Sequence, residues 1–222
     1  MKRIVWIALL VSSFSMAQIT QVMGEFREVK VFDGISVNLI KAQENKVIIT
    51  GEDVNDVAVV NRNGRLKIRM EIDKAFNGYE TFVEVHFTED LDLIDVNENA
   101  FLASDHVFKQ TTIELRAQEG AELDVDLDVD KATVKAYSGG EIVSEGNAVN
   151  QKIVINSGGQ YNGSQLRTEQ TEVSVSAGGR AMVNATELVE ARVKAGGTIK
   201  VFGDPKVLDT QKLFGGKILR MD

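Results

Sequence analysis

Five glycine pairs punctuate the second half of the chain: Gly139-Gly140, Gly158-Gly159, Gly178-Gly179, Gly196-Gly197 and Gly215-Gly216, at intervals of 19, 20, 18 and 19 residues. Two further turns fit the same rhythm upstream, at Gly120-Ala121 and Asn99-Ala100. Asn and Gly tolerate the left-handed backbone that a tight corner needs. A fixed period of this size marks a solenoid, in which each repeat is one coil.

The flanks of each corner agree. Five residues before it stand Ile94, Leu115, Val134, Ile153, Val173 and Ala191; three before it stand Ala136, Ile155, Val175 and Val193. Three residues after it come Leu102, Leu123, Ile142, Tyr161, Ala181, Ile199 and Ile218. The residues between are mainly polar or charged, such as Glu122, Lys135, Ser174 and Arg192. Alternation with a period of two makes each flank a strand with one face inside. Stacked at about 4.8 Å per coil, equivalent apolar positions become continuous internal columns, and the steps from Asn99 to Gly215 span roughly 29 Å. An antiparallel sandwich is the competing architecture, but its turns come every 8–12 residues or so and irregularly. The pattern therefore predicts an all-β, parallel β-helix-like solenoid with about 19 residues per coil over 91–222. Lys212 falls where an inward residue is expected, so the last coil reads as frayed.

The region 24–90 is less regular. Phe26–Val31, Ile35–Ala42, Val47–Thr50, Gly64–Ile72 and Thr81–Thr88 read as strands, and Asn63-Gly64 as a hairpin turn. Asp53–Val59 reads as one helical turn capped by Asp53. This part is expected to lead into the coils and cover their first open edge.

Residues 1–17 have the pattern of a signal peptide: Lys2 and Arg3, an apolar stretch from Ile4 to Phe14, and the small-x-small site Ser15-Met16-Ala17. The apolar run is short of the roughly 20 residues of a membrane span, so the expectation is export, with a single domain over 18–222 and no span in the mature chain. Cleavage removes two positive charges and takes the formal net charge from −8 to −10. So acidic a chain has no electrostatic footprint for nucleic acid. With no cysteine, neither disulfides nor a lipid-modified cysteine is available.

Phe32-Asp33-Gly34-Ile35-Ser36-Val37, Val47-Ile48-Ile49-Thr50-Gly51 and Asn63-Gly64-Arg65-Leu66-Lys67-Ile68, followed by the Gly-Gly coils, resemble the head GIN domain family of putative auto-transporter adhesins. The likeness extends over residues 24–222. It implies a right-handed β-helix-like fold in an exported protein of the Bacteroidetes type, at the cell surface or in the periplasm. It brings no reaction, no cofactor and no site residue.

Catalytic motifs are missing. There is no cysteine nucleophile, no G-x-S-x-G elbow, no H-E-x-x-H helix and no phosphate loop. His86 and His106, one coil apart with Asp105 beside the second, could share a metal, but the spacing fixes no third ligand and two solvated histidines are the plainer reading. In Glu122-Leu-Asp-Val-Asp-Leu-Asp-Val-Asp130, strand alternation sends all five acids outward. In the repeat register Asp105, Asp126 and Glu145 fall on three successive coils. Like charges at strand spacing repel, and a bound Ca²⁺ would relieve them; a solvated acidic face accounts for the same pattern. Some β-helices cleave polysaccharides, and Arg116, Lys135, Glu141 and Glu145 are available for that role, though no spacing singles them out. Asn162-Gly163-Ser164 and Asn184-Ala185-Thr186 are glycosylation sequons that carry little weight in a bacterial-looking chain.

The sequence thus points to a non-enzymatic, exported β-solenoid, an adhesin-like binding or structural module of the cell envelope. Its outer faces would meet a protein or glycan partner at the cell surface. The alternatives are a polysaccharide-active enzyme and a calcium-stabilised surface protein. Open coil ends make an end-to-end homo-oligomer plausible.

Overall fold

The structure, a computed structural model, describes residues 18–221. The signal-peptide reading of residues 1–17 lies outside the described residues. The protein is an all-β solenoid of about seven turns, with ~19 residues per coil.

Five long strands carry the coils: β9 (Phe101–Gln118), β10 (Glu122–Tyr137), β11 (Glu141–Ile155), β12 (Gln160–Ser176) and β13 (Arg180–Lys194), each parallel to the next. Each bends once, around Thr111, Asp130, Val149, Glu169 or Thr186, where the pairing is interrupted. The bend divides every coil into two faces. The first face runs from the glycine corner to the bend, and the second from the bend to the next corner. After β13 the two faces end on separate short strands. β14 (Thr198–Phe202) and then β16 (Lys217–Arg220) extend the first, and β15 (Val207–Leu213) extends the second.

The N-terminal region continues the same two faces. β3 (Ser36–Lys41) pairs with the start of β9, and β7 (Thr81–Phe87) pairs with β3, both in parallel. β4 (Lys46–Gly51) and β1 (Gln18–Val22) then close the first face in antiparallel pairing. On the second face, β8 (Leu93–Val96), β2 (Glu28–Val31) and β6 (Arg65–Met70) follow β9 in parallel, and β5 (Val57–Arg62) closes it as a hairpin with β6. The hairpin turn is Asn63-Gly64, both with positive φ as expected. The helical turn expected at Asp53–Val59 is only a 3-10 turn at Val54–Asp56, and Asp53 makes no side-chain cap. From Val57 onward the chain is strand, because pairing with β6 offers these β-branched residues a complete ladder.

The expected columns form. Leu115, Val134, Ile153, Val173 and Ala191 stack in register and are buried, as are Ala136, Ile155, Val175 and Val193. Each Val, Leu or Ile among them contributes about 1.5–3 kcal/mol by leaving water. Tyr161 occupies the column of Leu123 and Ile142 and is fully buried. Burial pushes its phenol up to about 12, against a hydrogen bond donated by Gln151.

The two glycines of a corner do different work. Gly139 has φ +79, following Ser138 at +48, so two successive left-handed residues make the turn. At Gly140 the constraint is contact: a Cβ there would lie 2.3 Å from the carbonyl oxygen of Ala117 on the coil below.

Departures from the 19-residue period are taken up as bulges on the first face and, between β12 and β13, also at the bend. The coil from Asn99 to Gly120 is 21 residues long. Its surplus sits where Asp105, His106 and Val107 face Asp126 alone, between the pairs Ser104–Val125 and Phe108–Leu127.

Candidate functional site

On the first face, strand alternation turns Ser36 and Asn38 of β3, Phe82 and Glu84 of β7, Phe101 and Ala103 of β9, and Thr50 of β4 outward. The register sets Ser36 between Phe82 and Phe101, and Asn38 between Glu84 and Ala103. The two phenylalanines therefore stand two strand spacings apart, roughly 9.6 Å between backbones, with only a serine between them. They are 54% and 40% exposed, which is high for phenyl rings on a folded sheet. The result is a slot of about 410 Å³ with aromatic walls and a floor of Ser36, Asn38 and Glu84, and Thr50 flanks Phe82 on its far side. Beyond the corner, the ring of Tyr79 lies against Gly34 and is also exposed.

A groove of about 460 Å³ on the second face differs in chemistry. Lys131, Lys152, Glu172 and Glu190 line it, and all of these but Lys131 are held in ion pairs. Lys152 Nζ lies 3.0 Å from Glu172, and Arg192 bridges Glu172 and Glu190 at 3.2 and 2.7 Å.

Neither Phe82 nor Phe101 is among the residues singled out in the sequence. Alternation of Thr81, Val83 and Val85 as the buried set would have turned Phe82 outward.

The residues singled out in the sequence are distributed as follows. Asp126 lies opposite Glu145 on the adjacent coil. Asp105 leaves that column because it lies in the bulge of β9, so the acidic ladder has two members in register where three were expected. Among the described residues, no group of three or more His, Asp or Glu side chains could hold a metal ion. His86 meets Glu84 at 3.2 Å. His106 packs edge-on against Phe87 and Phe108 at 5.7 and 5.3 Å. Burial, and then Lys41, hold His106 below the usual imidazole value. Of the residues offered for a glycan-cleaving role, Glu141 and Glu145 lie on the first face and Arg116 and Lys135 on the second, so the bend keeps them apart. Among the described residues, no helix is long and apolar enough to cross a membrane.

The family described as "Putative auto-transporter adhesin, head GIN domain" matches residues 25–205. The chain belongs to this family. A crystal structure of a putative adhesin from Bacteroides fragilis has the same fold, with a TM-score of 0.84 at 20% identity, over 94% of this chain and 98% of that one. A putative adhesin from Parabacteroides distasonis superposes with a TM-score of 0.71 at 17% identity, over 93% and 97% of the two chains. A putative lipid-binding protein from the same species gives 0.67 at 14% identity, over 94% and 98%. At these identities the likeness establishes the head GIN fold alone. No curated protein matches the sequence.

Proposed function

We propose that this head GIN protein works outside the cytoplasm as a non-enzymatic, adhesin-like binding module, and that its first-face slot takes a saccharide ring. The signal-peptide pattern and the family support the location. The slot supports the ligand class: a pyranose has apolar C–H faces and a polar rim, and aromatic walls over a hydroxyl, amide and carboxylate floor match both at once. The solvent-facing pair Phe82 and Phe101 is the observation that carries this reading. It needs no nucleophile and no metal, in keeping with an adhesin family.

The test is a glycan array followed by calorimetry on any hit. Phe82→Ala is expected to lower affinity at least about tenfold, a loss of about 1.4 kcal/mol, without lowering the melting temperature, since the side chain is outside the core. Affinity untouched by Phe82→Ala, or binding of proteins but of no glycan, would overturn the assignment.

A further inference from the structure

We infer that the first face of the solenoid docks a second copy of this chain, about a twofold axis along the strand of Gln160 and Asn162. The observation is a separation of charge. In the two outward columns nearest the corner of the first face, acids stand on β10 and β11 and bases on β13, β14 and β16. One outward column reads Phe101, Glu122, Glu141, Gln160, Arg180, Thr198, Lys217 from coil to coil. Its neighbour reads Ala103, Asp124, Val143, Asn162, Met182, Lys200, Leu219. Among the described residues, none of the charged side chains in these two columns has an ion-pair partner within the chain.

Such a face repels itself within one molecule, because Glu122 stands opposite Glu141 and Asp126 opposite Glu145. It is complementary to its own copy. A twofold axis in the plane of the face, along the strand at Gln160, keeps each column over itself and reverses the order of coils. Glu141 then meets the partner's Arg180, and Asp124 meets the partner's Lys200. Val143 packs on the partner's Met182, and Phe101 lies under the partner's Lys217, a cation over an aromatic ring. Every contact occurs twice, as an isologous interface requires. The face from Phe101 to Lys217 is roughly 29 Å by 17 Å, so the pair buries on the order of 1,000 Å², where specific interfaces begin. The dimer is therefore weak, and it is salt-sensitive because it depends on charge.

The open C-terminal end suits a second copy less well. Lys212 and Arg220 occupy inward columns there, opposite Val193 and Val201, and inward-pointing charge is a device that keeps sheet edges from pairing. The saccharide slot extends past Phe101 to Phe82, beyond the partner's last strand, so this inference does not rest on the ligand assignment.

Sedimentation of the chain from Gln18 onward, at low ionic strength and over a range of concentration, tests it. The wild type is expected to dimerise, with dissociation in high salt. Glu141→Arg alone and Arg180→Glu alone are each expected to be monomeric, because each homodimer then faces like charges. An equimolar mixture of the two variants is expected to dimerise again, since both contacts are restored between unlike copies. The pair Asp124→Lys and Lys200→Glu provides the same cycle, should either first variant lose the circular dichroism of the folded chain. A wild type that stays monomeric throughout, a dimer indifferent to Arg180→Glu, or a mixture that stays monomeric would overturn the inference.

Discussion

The two faces of each coil are made by one strand with one alternation, yet they use charge in opposite ways. On the second face acids and bases interleave from coil to coil. Glu114 accepts from Arg116 on its own strand and from Lys135 on the next, each at 2.6 Å, and Glu172 lies between Lys152 and Arg192. On the first face the signs are sorted along the axis and like charges adjoin, with the exposed Lys109–Asp128 pair as the exception. The stacking itself cannot explain this, because backbone spacing and core columns are common to both. The difference teaches that most charges of the second face are satisfied within the chain, whereas the columns of the first face nearest the corner are organised for something outside it.

The most drastic way to break the comparison is to disturb the corner that joins the faces. Gly140→Val would drive a branched side chain into the Ala117 carbonyl and cost about 3 kcal/mol or more. Both faces should then lose register, with a fall of roughly 10 °C in the melting temperature. Gly139→Ala has open space around it and pays only for its positive φ, about 1 kcal/mol. Calorimetry of the two variants separates crowding from backbone strain.

A smaller loss is expected within the second face. Lys30 pairs with Asp95 at 2.7 Å, and the Asp95 side chain is only 4% exposed. Lys30→Met would leave that carboxylate in a nearly dry site with the Asn97 amide as its remaining side-chain donor, at a cost of about 2–3 kcal/mol by urea titration. An equal charge deletion on the exposed Lys109–Asp128 pair of the first face, Lys109→Met, should stay below about 0.5 kcal/mol.

Acid should act on the two faces with opposite sign. Burial works against ionisation of Glu114, but hydrogen bonds from Arg116 and Lys135 outweigh it and hold the group below its ordinary 4.5. Its contribution is present above that value and is lost as pH falls through the lower folded one. Asp124 is raised above its ordinary 3.8, by desolvation first and then by Asp126. Its charge therefore opposes folding at neutral pH, and the penalty fades as pH falls through the raised value. Urea midpoints should show Glu114→Gln destabilised and Asp124→Asn stabilised at neutral pH, with both differences shrinking in acid.

Much of the fold could be read from the chain. Val134, Ile153 and Val173 recur in phase with the glycine corners, and that phase alone specifies parallel coils. The bulge at Asp105 could not be placed, because the long interval from Asn99 to Gly120 says that residues are surplus but not where the strand can spare them. Only pairing with Ser104 and Phe108 fixed on either side puts them at Asp105 to Val107. The slot was half legible. Alternation turns Phe82 outward, but its position beside Phe101 depends on β3 lying between β7 and β9, an order that differs from chain order. The sorting of charge on the first face was present in the sequence as Arg180, Lys200 and Lys217. It became visible only once the bend had separated them from the paired charges of the second face.

The central claim is that neighbouring coils repel across the first face and attract across the second. The most direct measurement is the melting temperature, at low salt and low protein concentration, of two neutralised variants, Asp126→Asn and Glu172→Gln. The account predicts opposite shifts of about 1–2 °C each: a rise for Asp126→Asn, which removes repulsion from Glu145, and a fall for Glu172→Gln, which removes attraction to Lys152 and Arg192. Shifts of the same sign would contradict it.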